Sequence, residues 1–255
     1  MQNNPSESTS LAIVLAAGKG TRMKSELPKV LVPVAGRPMI RYVIDALNGA
    51  GIDRILVVVG YRSDLVRAEL ASEPNVEFVE QKEQLGTGHA VMMCRDQLAQ
   101  HRGPVLIVAG DSPLLQVDSV RKLLENFSAS ECDCVIGTVD KEDPHGYGRI
   151  VRDDSGRFMG IVEEKDATSD QQGIREVNVS TYVFDSHQLV AALEQLTDKN
   201  AQGEYYITDC PAAMLAVGKN VAAEKVLQPC ESMSINNTDE LALVEAELQR
   251  MAPVK

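Results

Sequence analysis

Short β-branched runs alternate with amphipathic stretches along most of the chain, the pattern of strands and helices that share one sheet. Leu11 to Ala16 is a compact apolar run ending in Ala17-Gly18, a strand that enters a loop. After Pro38, residues Ile40, Val43, Ile44 and Leu47 follow the i, i+3, i+4, i+7 rule of an amphipathic helix, and Gly49 and Gly51 end it. Arg54 to Val59 and Pro104 to Ala109 read as fully buried strands. Between them the pattern predicts a short helix over 63–71, a strand over 76–79, and one helix from Gly88 that aligns Val91, Cys94 and Leu98. A helix with Val117, Val120, Leu124 and Phe127 on one face follows. This first half is a βαβ series, expected to make right-handed parallel crossovers.

The second half changes character. Strand-like runs at Cys132 to Val139, Gly148 to Val151, Phe158 to Val162 and Val177 to Phe184 are separated by turns, with Asp154-Ser155-Gly156 a hairpin signal. Helices near 187–196 and 209–217 and a strand over 221–226 return to the α/β style. The last helix opens with Asn237 and Glu240 in capping register and carries Leu241, Val244, Leu248 and Met251 on one stripe. No internal repeat or low-complexity linker interrupts the chain. One continuous mixed sheet is expected.

Composition narrows the class. A chain of 255 residues can form one sizeable α/β domain or two small ones. With 44% hydrophobic and 24% charged residues, global disorder is excluded. No apolar stretch approaches the roughly 20 residues that span a bilayer, so no membrane partner is expected. The polar residues 1–10 carry no signal-peptide order of charge and hydrophobicity, and read as a disordered tail. Five scattered cysteines, an odd number, suit a reducing, cytoplasmic compartment. Cys132 and Cys134 would point to one face of a strand, either as plain buried thiols or as a metal or redox pair. The net charge of −12 argues against a nucleic-acid partner. It leaves room for one highly charged small ligand, because local charge decides local binding.

Such a ligand has a candidate seat. The segment Leu15-Ala16-Ala17-Gly18-Lys19-Gly20-Thr21-Arg22-Met23, followed by Pro28-Lys29, combines small residues with two glycines, so backbone N–H groups can approach phosphates. Lys19, Arg22, Lys24 and Lys29 fall within eleven positions, with Glu26 the only acid among them. This is a positive island of triphosphate size in an acidic chain. Walker A spacing is absent, and the dinucleotide fingerprint fails at Met23, where it needs a third glycine. The bland alternative is a basic surface turn after the first strand.

The segment resembles the signature of the sugar-phosphate nucleotidyltransferases, and five later blocks extend the likeness to the bacterial N-acetylglucosamine-1-phosphate uridylyltransferases. They begin at Glu83-Gln84-Leu85-Gly86-Thr87-Gly88-His89-Ala90 and Gly110-Asp111-Ser112-Pro113-Leu114. Asp143-Pro144-His145-Gly146-Tyr147-Gly148-Arg149-Ile150, Ile161-Val162-Glu163-Glu164-Lys165-Asp166-Ala167 and the stretch from Asn200 to Asp209 follow in the same order. The likeness runs from Leu11 to about Met251.

The resemblance implies a Rossmann-like three-layer α/β/α nucleotidyltransferase fold with a mostly parallel mixed sheet. It implies a single domain over 11–251, with a nucleotide half to about 115, a sugar half to about 235, and a helix over 237–251. The activity implied is uridylyl transfer from UTP to N-acetylglucosamine 1-phosphate, with Mg²⁺ as cofactor. Leu15, Ala16, Ala17 and Gly18 would underlie uracil and ribose, while Lys19, Arg22 and Lys29 hold the triphosphate, with Arg22 and Lys29 in the catalytic role. Gln81, Gly86 and Thr87 would read the base. Asp111 and Asn236 would ligate Mg²⁺. Gly148, Glu163, Asn178, Tyr206 and Thr208 would line the sugar pocket. Taken without the resemblance, Asp111 reads as readily as a turn cap, and Gln81 as a surface residue. Glu164, Lys165 and Asp166 read as a solvated charge run, and His89 and His145 as structural hydrogen-bonding residues.

Two departures stand out. The family pattern has Asn-Thr-Gly where this chain has Asn178-Val179-Ser180, which adds bulk beside the sugar pocket, and Tyr-Gly-Asp where it has Ala109-Gly110-Asp111. The bifunctional bacterial enzymes also continue into an acetyltransferase domain, whereas this sequence stops at Lys255. Acetyl transfer is therefore not expected of this chain, and a separate acetyltransferase in the pathway is a candidate partner. The alternatives are a nucleotidyltransferase for another sugar 1-phosphate or another nucleotide, and a non-catalytic UDP-sugar sensor.

Overall fold

The computed structural model describes residues 10–20, 26–235 and 237–251. In chain order the first half forms β1 (Leu11–Ala16), a short ribbon of β2 (Pro33–Val34) and β3 (Arg37–Pro38), α1 (Met39–Ala50), β4 (Arg54–Val59), α2 (Ser63–Glu69), β5 (Val76–Glu80), α3 (Thr87–Met92), α4 (Arg95–Gln100), β6 (Pro104–Ala109) and α5 (Val117–Ala129). The second half forms β7 (Cys134–Asp140), β8 (Gly148–Arg152), β9 (Phe158–Val162), α6 (Ser169–Gln172), β10 (Glu176–Asp185), α7 (Ser186–Leu193), α8 (Cys210–Ala216), β11 (Val221–Glu224) and α9 (Thr238–Met251).

One sheet takes the order β11-β7-β10-β6-β1-β4-β5. β6, β1, β4 and β5 are parallel neighbours, and β10 runs antiparallel to both β6 and β7. β11 is parallel to β7, and the β8–β9 hairpin joins the sheet where Gly148 and Arg149 pair with Asn178 and Val177. The chain leaves β1 through α1 toward β4, whereas β6 lies on the other side of β1. This reversal leaves a crevice at the carboxyl ends of β1 and β6, where open α/β sheets bind ligands.

Strand alternation separates two apolar layers. Leu11, Ile13, Val105 and Ile107 pack under α3, α4, α7 and α8. Ala12, Val14, Ala16, Leu106 and Val108 pack under α1, α2 and α5. This is the three-layer, mostly parallel arrangement expected from the resemblance. In α1 the stripe Ile40, Val43, Ile44 and Leu47 is buried, and Gly51 closes the helix at φ 87°, a conformation that favours glycine. Asn237 Oδ1 accepts from the N–H groups of Asp239 and Glu240 at the start of α9. The stripe of α9 covers Val32, Val34 and Met39. Between β8 and β9, Asp153 Oδ1 accepts from Ser155 N and Arg157 N, and Gly156 takes φ 82°.

Two expectations change. The helix from Gly88 is two helices, broken at Met93-Cys94, where Cys94 leaves helical geometry (φ −89°, ψ 10°). The bend keeps Val91, Cys94 and Leu98 all against the same layer. Strand β7 starts at Cys134 rather than Cys132, because Asp133 is held by Asn220 through N–H···O of 2.8 Å and a carboxylate contact of 2.9 Å. Cys134 therefore faces one apolar layer while Cys132 packs on the other, and no shared face forms. All five thiols are free. Burial pushes Cys94 to about 12 and raises Cys134 and Cys210 as well. These three are neutral and inert at neutral pH. The tail over 1–9 lies outside the described residues. Ser10 is tied to Asp53 by its N–H (2.7 Å) and hydroxyl (2.9 Å), so the expected disorder does not extend to it.

Candidate active site

Two cavities open at the carboxyl ends of β1 and β6. One, of about 370 Å³, is lined by Leu15, Ala17, Gly18, Lys29, Gln81, Gly86 and Thr87, with Gln84 and Glu204 at its wall. The other, of about 200 Å³, lies toward the hairpin and is lined by Gly146, Tyr147, Gly148, Glu163, Asn178 and the 231–234 turn. Ala109, Asp111 and Ser180 line both. Of the residues expected from sequence, Leu15, Ala17, Gly18, Lys29, Gln81, Gly86 and Thr87 thus line one cavity and Gly148, Glu163 and Asn178 the other, and the two meet at one carboxylate and one hydroxyl.

The loop after β1 turns back through Gly20, at φ 67°, where a Cβ would stand 2.7 Å from Lys29 Cβ. Pro28 leads into a single helical turn at Lys29–Leu31 with Val30 and Leu31 buried, so Lys29 is presented from an anchored turn. Its Nζ lies 2.6 Å from Asp111 Oδ2. Asp111 stands two residues beyond β6, and Gly110 N donates to Leu15 O (2.9 Å), which ties the two strand ends together. Lys19 is exposed, with its ammonium 5.2 Å from the Tyr61 ring centre, and does not line the cavity. Ala16 also falls outside it: alternation along β1 turns its side chain into the layer under α1. Arg22 and Asn236 lie outside the described residues.

Gln81 follows β5 and is buried, 3% exposed. Its Nε2 donates to Gly86 O (3.0 Å) and to His89 Nδ1 (3.0 Å). Both amide hydrogens are used inside the protein, which leaves Oε1 as the group offered to a ligand. His89 has the structural role expected of it. Gly86 takes φ 108°, and a Cβ there would approach Tyr205 O to 2.5 Å. The segment after it is pinned by Gly88 N to Tyr205 O (2.7 Å) and by Ile207 N to Thr87 Oγ1 (3.1 Å).

On the sugar side, Glu163 Oε1 accepts from Thr208 Oγ1 (3.0 Å), and burial raises its pKa, with Asp209 and Asp166 adding to the rise. Asn178 Nδ2 donates to the Tyr182 hydroxyl (2.7 Å). Thr208 reaches this cavity through Glu163, while the Tyr206 hydroxyl accepts from Gln202 (2.5 Å). Among the described residues neither Thr208 nor Tyr206 lines the cavity itself.

Glu164 corrects the sequence reading of a solvated charge run. Its Oε2 accepts from Arg149 Nη2 (2.6 Å) and Gly146 N (3.1 Å), and Oε1 lies 3.2 Å from His145 Nδ1. The Arg149 side chain is 1% exposed and also donates to Tyr147 O. Arg149 holds Glu164 below the usual carboxylate range. The pair braces the Gly146-Tyr147-Gly148 wall from behind. Lys165 and Asp166 are exposed, as expected.

Glu231 was not legible in the sequence. It is buried, accepts from Ser119 Oγ (2.5 Å), Gln116 N (3.0 Å) and Gln228 N (2.6 Å), and is pushed up by desolvation. It fastens the turn after Asp111 to the far wall of the smaller cavity. Gln228 is three residues away and caps the local turn, but Ser119 and Gln116 are over a hundred residues away, so no local signal marks the long-range contact.

A doubly wound sheet with a cationic turn and a carboxylate at its switch point defines a nucleotide-binding α/β class. Residues 12–209 match the model of the MobA-like NTP transferase domain, and the chain belongs to that family. It is 44% identical over 239 residues to the bifunctional protein GlmU of Streptococcus mutans, covering 94% of this chain and 51% of that protein. Identity to the bifunctional protein GlmU of Heliobacterium modesticaldum is 47% over 238 residues, 93% of this chain and 52% of that one. The chain therefore spans about half the length of the curated relatives it matches. A solved structure assigned as a glucose-1-phosphate thymidylyltransferase of Bacillus anthracis superposes with a TM-score of 0.79 at 20% identity, over 97% of this chain and 98% of that one. That likeness bears on the fold alone.

Proposed function

We propose that this chain transfers the uridylyl group of UTP to N-acetylglucosamine 1-phosphate, releasing pyrophosphate. The observation that carries the reading is the meeting of two cavities at Asp111 and Ser180, beside Lys29. One cavity has the dimensions and polar edge for a base and ribose, and the other is lined by hydrogen-bonding groups suited to a sugar. The relatives named GlmU agree with this assignment.

Gln81 Oε1 accepts from the ring N–H of uracil, and Gly86 and Thr87 complete the edge. Leu15, Ala17 and Gly18 support base and ribose, with Ala16 contributing backbone only. Lys29, with Arg22 and Lys19 from the same loop, neutralises the triphosphate. Glu163 and Asn178 bind sugar hydroxyls and the acetamido group beside Gly148, while Thr208 orients Glu163 and Tyr206 supports the wall behind it. An oxygen of the sugar phosphate attacks the α-phosphorus in line, and the bond to pyrophosphate breaks. The nucleophile is already anionic, so positioning and charge neutralisation carry the reaction without a general base.

Mg²⁺ is the cofactor of this reading. Among the described residues no cluster of three or more metal-ligating side chains exists. Asp111 nonetheless fits this ion, because Mg²⁺ keeps several waters and is held by one or two protein oxygens together with substrate phosphates. Asp111, with Asn236, would hold it and hand the Lys29 ammonium to phosphate. When bound, the ion supplies charge neutralisation at the phosphates.

No described helix is long and apolar enough to cross a membrane, and free thiols suit a reducing cytoplasm. The test is pyrophosphate release with UTP, Mg²⁺ and N-acetylglucosamine 1-phosphate, beside glucose and glucosamine 1-phosphates. A clear preference for the acetylated sugar is expected, because a site built to hydrogen-bond a group rejects analogues lacking it. Preference for another sugar overturns the substrate assignment. Sugar-nucleotide binding without any turnover makes the chain a sensor.

A further inference from the structure

Ser180 occupies an unusual position in the fold. The pairing of β10 with β7 breaks between Asn178 and Tyr182, and Ser180 sits in that break at φ 59°. This left-handed conformation is uncommon for a residue with a side chain, and such outliers concentrate at functional sites. Glycine would take it without cost, and the uridylyltransferase pattern has glycine here. The chain instead places a hydroxyl at the seam where the two cavities join.

The bulge sets that hydroxyl beside Asn178 and Tyr182. Ser180 N donates to Asn178 Oδ1 (3.2 Å), and Asn178 Nδ2 donates to the Tyr182 hydroxyl (2.7 Å). Tyr182 is fully buried, its phenol pushed well up by desolvation, and it interacts with the Ser180 hydroxyl. The Tyr182 and Ser180 hydroxyls are neighbours at the bulge, and a serine hydroxyl carries one donor and two acceptor sites. The neighbouring space is the junction, bordered by Asp111, where a transferred phosphoryl group would lie.

We propose that Ser180 is a substrate-contacting residue, its hydroxyl donating to a phosphoryl oxygen at the cavity junction. The proposal rests on the nucleotidyl-transfer reading of the same site. It assigns a contact that a glycine at this position cannot make. Asn178 also ties this turn to the sugar side, because its Oδ1 accepts from Ser180 N while its side chain lines the smaller cavity.

The test compares wild type, Ser180→Ala and Ser180→Gly for pyrophosphate release and for calorimetric binding of UDP-N-acetylglucosamine. A hydrogen bond to a charged group is worth about 1.5–3 kcal/mol, so both variants should lose about 10- to 100-fold in turnover, with weaker binding of the sugar nucleotide. Wild-type behaviour of both variants overturns the proposal. Loss in Ser180→Ala with full activity in Ser180→Gly also overturns it, since the defect then comes from a Cβ at positive φ. A wild-type chain that binds the sugar nucleotide but transfers nothing sinks the transfer reading instead. The contact is then decided by affinity: equal binding by wild type and Ser180→Ala refutes it, and weaker binding by both variants upholds it.

Discussion

Replacing Glu164 with alanine tests whether a residue outside both cavities shapes one of them. The change removes the carboxylate that accepts from Arg149 Nη2 (2.6 Å) and Gly146 N (3.1 Å). Arg149 is 1% exposed, so its charge would stay buried with only carbonyl partners, those of Tyr147 and Gln172. Removing one member of a fully buried pair costs about 3–5 kcal/mol. The Glu164 side chain is 23% exposed, so water can partly replace it, and about 2–3 kcal/mol is a better figure. For a chain of this size that corresponds to a fall in Tm of about 4–12 °C. The wall Gly146-Tyr147-Gly148 should loosen as well, raising KM for the sugar phosphate about tenfold. KM for UTP should stay near its wild-type value, since the nucleotide cavity is untouched. Arg149 lowers the Glu164 pKa, so this stabilisation is present above about pH 4.3, the unfolded value. It is lost as pH falls through the lower folded value, and the two proteins should converge in Tm there. Calorimetry and steady-state kinetics, with the exposed Lys165→Ala as control, read both effects. A Tm within about 1 °C of wild type, with an unchanged sugar KM, would refute the reasoning.

Four further predictions concern the site. Lys29→Ala should lose about 10²–10³ in turnover, by analogy with deleting one transition-state donor, and Asp111→Ala should abolish Mg²⁺-dependent activity; wild-type kinetics in either rejects that assignment. Glu163→Gln should melt above wild type at neutral pH yet bind the sugar poorly. Burial raises the Glu163 pKa, so its folded-state benefit is complete below about pH 4.3 and disappears as pH rises through the raised folded value. A Tm gain that is equally large at acidic pH would contradict that origin. Gly86→Ala should weaken UTP binding and stability together, because φ 108° and a 2.5 Å approach to Tyr205 O leave no room for a methyl group; calorimetric binding and melting identical to wild type would show that the loop adapts.

Local pattern carried far in this chain. The buried runs at Leu11, Arg54 and Pro104 became neighbouring parallel strands, because β-branched side chains fill both faces of a covered sheet. Periodicity placed the faces of α1, α5 and α9, and the cations in the loop after β1 mark a candidate phosphate seat on residue type alone. It failed where distant backbone decides. Nothing near Cys132 reveals that Asn220 holds Asp133 and delays β7. The bend at Cys94 satisfies packing against the sheet rather than a local breaker.

Sequence alone therefore determined the class of fold, the order of its elements and the chemical inventory of the site, since these depend on residue type and short spacing. The tertiary structure decided which of those residues meet. It turned Ala16 away from the cavity through strand alternation and used both Gln81 hydrogens internally. It made Glu164 the partner of a buried arginine and brought Ser180, in a left-handed turn, to the seam beside Asp111. Each depends on contacts between segments far apart in the chain, and a linear pattern does not encode which buried charge or hydroxyl will find which partner.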